Sequence, residues 1–484
     1  MVRIRIIHTY NLKVTNKFGY SLETFRLSAL ASLYSSKIEI QRNLDTKKVC
    51  VRIFGSDNQQ AKDEFSNVLS EIGKQYCFEE NPECEKCPLS MICDFKLTKT
   101  VCDHESKNIE SQCLQFADLF CGAGGLSTGL KSAGLQPVWA VDIDPASVIT
   151  YKHNHISSNA VKVYCGDAAE ILKLNDKKLL KTSIDVLCGG PPCQGFSNAN
   201  RQRLSDDPRN NLYKIFLTTL QTTSAKYAIL ENVPGMKKAA PSIINEFNEI
   251  GYKTKLFEVE ASEYGVAQKR KRLFVIAKKI THEQHDTNFF LKFKETLNML
   301  KINGLSNITD AISDLPNIDA KNIPNSTNLE GKKFGFSCWI SELNTSSKTK
   351  VLFNHRSKYL NNRDNSIYSK LAPGEDSGAE AIREINPYKN RSHIFKDKFY
   401  RLRPDHPAKT ITAHMYYDTH MYIHPNQARG LSPREAARIQ GFSDDFIFFG
   451  YPNEWYRQIG NAVSPTVAKA IGIALKAADE AINV

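Results

Sequence analysis

No stretch of the 484-residue sequence approaches 18 uninterrupted apolar residues, the length a membrane-crossing helix requires. The opening run "MVRIRIIHTYNLKV" carries charges inside its apolar part and has no small-residue cleavage site, so neither a membrane partner nor export is expected. There is no internal repeat, which argues against a solenoid or propeller. No Gly-Lys-Ser/Thr follows a glycine-rich turn, which argues against a triphosphate site. Acidic residues are the scarcer charge: 52 Asp plus Glu stand against 64 Lys plus Arg, a net charge of +12. That balance suits a polyanionic partner, although many basic proteins bind no nucleic acid. Twelve cysteines without a secretory leader point to a reducing compartment, here the cytoplasm, where thiols serve as nucleophiles, metal ligands or core filler.

What is present is enough for large cores: 41% of residues are hydrophobic, and the length suits two to four domains. Texture divides the chain. Residues 1–95 end in a cysteine cluster, and 96–113 are polar enough to be a linker. Residues 114–280 alternate short apolar runs with helical stretches, as in "FADLF", "PVWAVDI", "KVYCGD", "IDVLCGG", "YAILENV" and "RLFVIAKK". Strands spaced by helices predict an α/β, doubly wound, mostly parallel sheet. Residues 281–428 lose that rhythm and are rich in Asn, Ser, Lys and Arg, while 429–484 become helical again.

Several turns of the predicted sheet carry chemistry. "FADLFCGAGG" is a strand running into a turn with Gly122, Gly124 and Gly125, after which a helix begins. Backbone N–H groups at such a helix start can face a ligand, yet the turn by itself suits many nucleotides or none. "AVDID" ends the next strand and puts Asp142 where a carboxylate can accept both hydroxyls of a ribose; "CGDA" puts Asp167 near a purine. Taken singly, each aspartate reads first as a helix cap or part of a solvated loop. In "VLCGGPPCQGFS" a buried strand runs into Gly-Gly-Pro-Pro and then Cys193. The prolines stiffen the approach and the glycines allow close contact, which aims one side chain at the carboxyl edge of the sheet. In "QKRKR", alternation puts Gln268, Arg270 and Arg272 on one face of a strand.

Six blocks in order, "DLFCGAGGLSTGL", "GGPPCQGFS", "LENVPGM", "YGVAQKRKRLFVIA", "LSPREAARIQGF" and "RQIGNAVSP", resemble those of the cytosine-5 DNA methyltransferases and span Asp118 to about Ala474. The resemblance implies an S-adenosylmethionine-dependent methyltransferase fold with an inserted target-recognition domain at 281–428, and a catalytic domain formed by 114–280 and completed by 429–484. The expected cofactor is S-adenosylmethionine, held by Phe120, Gly122, Ala123, Gly124, Gly125, Asp142, Ile143, Asp167, Ala168, Pro191, Leu212, Asn461 and Val463. Ile143 stands where such enzymes carry a large residue against the adenine, and Ala267 departs from the family's usual proline. Carbon 5 of cytosine is a poor nucleophile until a thiolate adds to carbon 6. The resemblance gives that role to Cys193, proton delivery at ring nitrogen 3 to Glu231, contact with the base to Arg272, and organisation of the catalytic loop or DNA to Arg270 and Gln268. Asn232 and Val233 would hold the loop of Glu231. The target base must be flipped from double-stranded DNA. Lys348, Lys350, Arg356, Lys358 and Arg363 are expected along phosphates, and "TITAHMYYDTH" against base edges. A Cys-Phe-Thr block that marks the relatives acting on transfer RNA is missing.

The resemblance therefore implies a DNA (cytosine-5-)-methyltransferase, a monomer, belonging to a restriction-modification system with a cognate endonuclease. The alternative is an iron-sulfur DNA-binding protein with a vestigial methyltransferase domain; the intact thiol, acid and arginine set argues against it. At the other end, Cys77, Cys84, Cys87 and Cys93 suit tetrahedral metal or cluster ligation. Their spacing resembles the iron-sulfur loop of endonuclease III-class DNA glycosylases, as does "LDTKKVCVRIFG" with Asp45. A [4Fe-4S] cluster is the expectation, zinc the alternative, in a small helical, cysteine-rich segment too short for the whole glycosylase fold and lacking its lysine nucleophile.

Overall fold

The computed structural model describes residues 113–155, 161–174, 179–180, 182–192, 211–302, 304, 306–318, 352–391 and 398–483. Seven strands form one sheet: β1 Gln115–Leu119, β2 Gln136–Asp142, β3 Lys162–Cys165, β4 Val186–Gly189, β5 Tyr227–Asn232, β6 Tyr252–Glu260 and β7 Lys271–Lys279. Their order is β3-β2-β1-β4-β5-β7-β6. The first five run parallel, and β7 inserts antiparallel between β5 and β6. The basic "QKRKR" stretch thus leads into an interior strand, not an edge.

The helices in chain order are α1 Gly125–Ser132, α2 Pro145–His155, α3 Ala168–Leu174, α4 Asn211–Thr223, α5 Ala240–Glu249, α6 Glu283–Met299, α7 Ile308–Ile312, α8 Asn362–Lys370, α9 Pro433–Gln440, α10 Pro452–Asn461 and α11 Pro465–Asn483. Apolar runs rather than strict alternation are what a sheet covered on both faces requires. Phe116, Val186, Cys188, Ile229, Phe274 and Ile276 face one core; Ala117, Leu187, Ala228, Leu230, Val275 and Ala277 face the other. The first core is closed by α1, α6 and α11, the second by α4 and α5. Gly129 of α1 permits its crossing with α11, because a Cβ there would penetrate Ala468 and the Pro465 carbonyl.

Helix α6 packs Phe289, Phe290, Phe293 and Leu297 into the sheet's first core. Conversely, α9 and α10 share a separate core with α7, Leu352, Leu402, Ile411, Met415 and Tyr422. Only α11 of the carboxyl-terminal part returns to the sheet. Ser432 and Glu435 close a capping box at α9, and Arg429 holds Glu435 through two guanidinium hydrogen bonds of 2.8 and 2.6 Å. Among the described residues, no helix is long and apolar enough to cross a membrane.

Candidate active site

A cavity of about 800 Å³ opens at the carboxyl ends of the parallel strands. It lies where β1 passes to β2 on one side and neighbours β4 on the other, the switch point at which doubly wound sheets take ligands. Turns following β1, β2, β3, β4 and β5 all contribute to its wall.

After β1, Phe120 adopts a left-handed φ of 64°. A side chain there costs roughly 1 kcal/mol or more, a strain that sites tolerate when the neighbourhood fixes it. The Gly122 N–H donates to Asp142 Oδ2 at 2.8 Å, and the Asp144 N–H donates to Asp142 Oδ1 at 2.8 Å. Each carboxylate oxygen keeps a lone pair for a hydroxyl. Burial pushes the Asp142 carboxyl up, against the pull of those N–H groups. Ile143 follows, 69% exposed, and lines the cavity with an apolar face. Asp167, whose carboxylate accepts from the Ala169 N–H at 2.9 Å, and Ala168 line the wall beyond β3.

Asp118 is a cavity residue that no motif in the sequence singles out. It is 1% exposed, lines the cavity, and accepts from Ser127 Oγ–H at 2.5 Å through Oδ2, while Oδ1 has no hydrogen-bond partner. Burial, opposed by the Ser127 bond and aided by Asp142, pushes its carboxyl up to about 7. The signal was a charged residue inside "FADLF", an otherwise apolar strand.

The other end of the cavity holds a carboxylate–guanidinium pair, Arg272 Nε to Glu231 Oε1 at 3.0 Å. A Cβ built at Gly190 would lie 3.2 Å from Glu231 Oε2, so the turn after β4 runs directly over the acid. Asn232 Nδ2 donates to the Pro191 carbonyl at 3.4 Å, and its Oδ1 accepts from the Val233 N–H at 2.8 Å, joining the two turns. Pro191 and Pro192 line the cavity; Cys193 lies outside the described residues.

A scan against protein-family models matches residues 114–477 to the C-5 cytosine-specific DNA methylases. The chain belongs to that family. The methylase is 30% identical over 430 residues to the type II methyltransferase M.AgeI of Thalassovita gelatinovora, covering 75% of this chain and 99% of that protein. It is 29% identical over 378 residues to M1.HphI of Haemophilus parahaemolyticus, covering 75% and 86%. Among solved structures, a protein assigned as a DNA modification methyltransferase of an E. coli prophage matches with a TM-score of 0.54 and 26% identity, over 75% of this chain and 98% of that one. The sheet and the family thus agree on a mixed α/β, S-adenosylmethionine-dependent methyltransferase.

The methylase's cavity suits that cofactor: it offers an apolar face at Ile143, hydroxyl acceptors at Asp142 and, at Asp118, a buried unpartnered oxygen fit for a cation. Leu212, Asn461 and Val463 complete the wall with Phe120, Gly122, Ala123 and Gly125. Gly124 does not line it. At φ 96°, that residue packs on α2, where a Cβ would penetrate His155 and lie 2.8 Å from Tyr151 Cδ2. A Cβ on Gly125 would likewise penetrate the Val463 carbonyl.

Arg270 and Gln268 act as struts. Arg270 is 3% exposed; its Nη1 donates to the Ile411 carbonyl at 2.8 Å and its Nη2 to Gly460 and Ala462 at 3.1 and 3.0 Å. Gln268 Oε1 accepts from the Ile411 N–H at 2.7 Å, and its Nε2 donates to Gln440. Burial and the neighbouring Arg272 pull the Arg270 guanidinium down to about 9. These bonds occupy Arg270 with carbonyls and leave Arg272 as the arginine beside Glu231. Lys358 also points inward: it donates to the Tyr416 carbonyl at 2.6 Å beneath the Tyr456 ring, and Arg363 pairs with Asp364 at 2.9 Å. Lys348 and Lys350 lie outside the described residues, as do Cys77, Cys84, Cys87 and Cys93. Among the described residues no cluster of three or more His, Cys, Asp or Glu could hold a metal.

Proposed function

We propose that the methylase modifies carbon 5 of one cytosine within a specific duplex sequence, as the protective partner of a restriction endonuclease. The restriction setting is supported by the type II relatives. The observation that carries the site assignment is the Arg272–Glu231 pair at 3.0 Å beneath the Gly-Gly-Pro-Pro turn, because it joins an acid and a cation at the mouth of the loop bearing Cys193.

In this reading the Cys193 thiolate adds to carbon 6 of the flipped cytosine, and Glu231 supplies a proton to nitrogen 3 as electron density moves there. Arg272 holds Glu231 and donates to the exocyclic oxygen. S-adenosylmethionine, when bound, would supply an electrophilic methyl to the activated carbon 5, its S–CH3 bond breaking to leave S-adenosylhomocysteine. Removal of the carbon 5 proton by a solvent base, with the nitrogen 3 proton returned to Glu231, then expels the Cys193 thiolate and restores the aromatic ring. Burial pushes the Cys121 and Cys188 thiols well up, so neither of these two competes as a nucleophile. Phe120, Asp142, Ile143, Asp167 and Asn461 are assigned to the cofactor, with Arg270 as a positioning residue.

The packing supports extending the first catalytic segment to 114–300 and closing the sheet's core with 463–484, while α9 and α10, the latter also lining the cavity, share their core with the recognition region. Residues 1–113 precede the family match, and for them the [4Fe-4S] proposal rests on the spacing of Cys77, Cys84, Cys87 and Cys93 and on the resemblance of "LDTKKVCVRIFG". Anaerobically purified protein with about four irons per chain supports it; colourless protein with one zinc overturns it.

Bisulfite sequencing of DNA from cells expressing the protein tests the function. Conversion-resistant cytosines in one sequence context are expected, and none with Cys193→Ala. Full conversion with the wild type, or protection by the variant, refutes the assignment.

A further inference from the structure

We propose that Arg457 is a positioning residue that couples occupancy of the cofactor cavity to the recognition turn around Tyr416. The proposal rests on the reading of the cavity as the cofactor site and of that turn as facing DNA. Arg457 sits on α10 and lines the cavity. Its Nη2 is 3.0 Å from Asp144 Oδ1 and 3.5 Å from Glu454 Oε1, and the guanidinium lies over the Tyr416 ring, 5.5 Å from its centroid.

Both ends of this bridge lead to a functional surface. On the cofactor side, Asp144 ends the "DID" turn: its N–H fixes Asp142 Oδ1 at 2.8 Å, its Oδ2 accepts from Ser147 Oγ–H at 2.7 Å, and Ile143 stands between the two aspartates. A ligand seated on Asp142 and Ile143 must order the turn that carries Asp144. On the recognition side, Tyr416 ends the short helical turn Ala413–Tyr416 and meets the Tyr417 ring edge-on at 5.0 Å. Tyr417 is 74% exposed and contacts the exposed His414 ring at 5.6 Å. Exposed aromatic and imidazole side chains on a turn anchored by buried Met415 suit stacking and hydrogen bonding with nucleobases.

Glu454 caps α10 by accepting the Tyr451 N–H through Oε2 at 2.7 Å, and its Oε1 stands 3.5 Å from Arg457 against 3.0 Å for Asp144, the nearer partner. A planar guanidinium is the side chain that can pair with a carboxylate along its edge and cover a ring with its face. Ordering either partner therefore orders the other, so that a ligand on one side lowers the ordering cost of binding on the other, reciprocally.

The test uses the full chain and S-adenosylhomocysteine as the probe, titrated calorimetrically with and without a duplex containing the methylated sequence. The wild type is expected to bind the probe about five-fold or more tightly on the duplex. Arg457→Lys keeps a charge for Asp144 but loses the planar cover, and Tyr416→Leu removes the ring. Each should bring the enhancement to within about two-fold, with the double variant no lower, as expected of residues acting through one contact. Thermal unfolding checks that each variant is folded, and the enhancement is read as a ratio to that variant's own probe affinity without DNA. Equal probe affinity with and without duplex in the wild type overturns the coupling, as does full enhancement in folded Arg457→Lys or Tyr416→Leu. A wild type that binds no probe and protects no cytosine refutes the cofactor reading itself, an outcome distinct from loss of coupling alone.

Discussion

Replacing Asp118 by Asn separates what the buried carboxylate costs the empty fold from what it gives the cofactor. Burial pushes this group from its ordinary 3.8 up to about 7. The folded chain therefore holds a proton that the unfolded chain releases, and stability falls as pH rises between those values. About three pH units at 1.36 kcal/mol each give about 4 kcal/mol over the whole window, and about 2–3 kcal/mol of it falls between pH 5 and 8. Asn keeps an acceptor for Ser127 Oγ–H and removes the titration. His153 and His155, pulled down by burial to about 3, act in the opposite direction: stability rises with pH between about 3 and 6.5 as the unfolded imidazoles lose their protons. That term is common to both proteins and cancels in their difference. Urea unfolding of the apoprotein, followed by tryptophan fluorescence from buried Trp139 and Trp455, should thus show Asp118→Asn gaining on the wild type by about 2–3 kcal/mol from pH 5 to 8. The same variant should bind S-adenosylmethionine more weakly, and wild-type affinity should rise with pH through 7 while the variant's stays flat. Parallel stability profiles would show that Asp118 does not titrate in this range and would sink the reading.

Glu231→Gln keeps the shape beside Arg272 but has no carboxyl proton for nitrogen 3, so methyl transfer should slow about 100-fold or more with cofactor affinity nearly unchanged. A large loss of affinity in a calorimetric titration would instead put Glu231 in the cofactor pocket. Gly129→Ala gives a signed test of helix packing: propensity alone favours Ala by about 1 kcal/mol, whereas a Cβ penetrating Ala468 and the Pro465 carbonyl should cost about 2–3 kcal/mol. A rise in melting temperature would refute the close crossing of α1 and α11. Arg270→Lys cannot reach the Ile411, Gly460 and Ala462 carbonyls together, and the folded state should lose about 2 kcal/mol or more in a denaturant titration.

The sheet was legible because its strands are buried on both faces. Phe116, Val186, Ile229 and Phe274 give apolar runs bounded by glycine and acidic turns, a pattern that needs no knowledge of partners. The acids at strand ends were legible for the same reason, since a carboxylate directly after such a run must sit at the carboxyl edge. Helix α6 was also present in the text: Phe289, Phe293 and Leu297 repeat every four residues. Lys292, Lys294 and Glu295 between them make the segment read as part of the polar region that follows. Asp118 was hidden by the opposite effect, a single charge inside an apolar strand that passed as a strand residue.

Contacts between distant segments were not legible. Gly124 and Gly125 read as one flexible ligand turn, yet their missing side chains make room for His155 and for the Val463 carbonyl, respectively. The "QKRKR" stretch shows the limit most clearly. Alternation put Arg270 and Arg272 on one face, and burial follows that alternation, with Lys269 and Lys271 exposed. What separates the two arginines is residues 408–411, laid alongside 267–269 by the Ala408 N–H to Ala267 and Lys269 N–H to Ala408 hydrogen bonds, both 2.8 Å. That segment gives Arg270 the Ile411 carbonyl, beside those of Gly460 and Ala462, while Arg272, two residues further along, clears it and reaches Glu231. Two identical side chains at equivalent spacing thus become a strut and a site residue, because a contact spanning about 140 residues of chain decides which of them is desolvated.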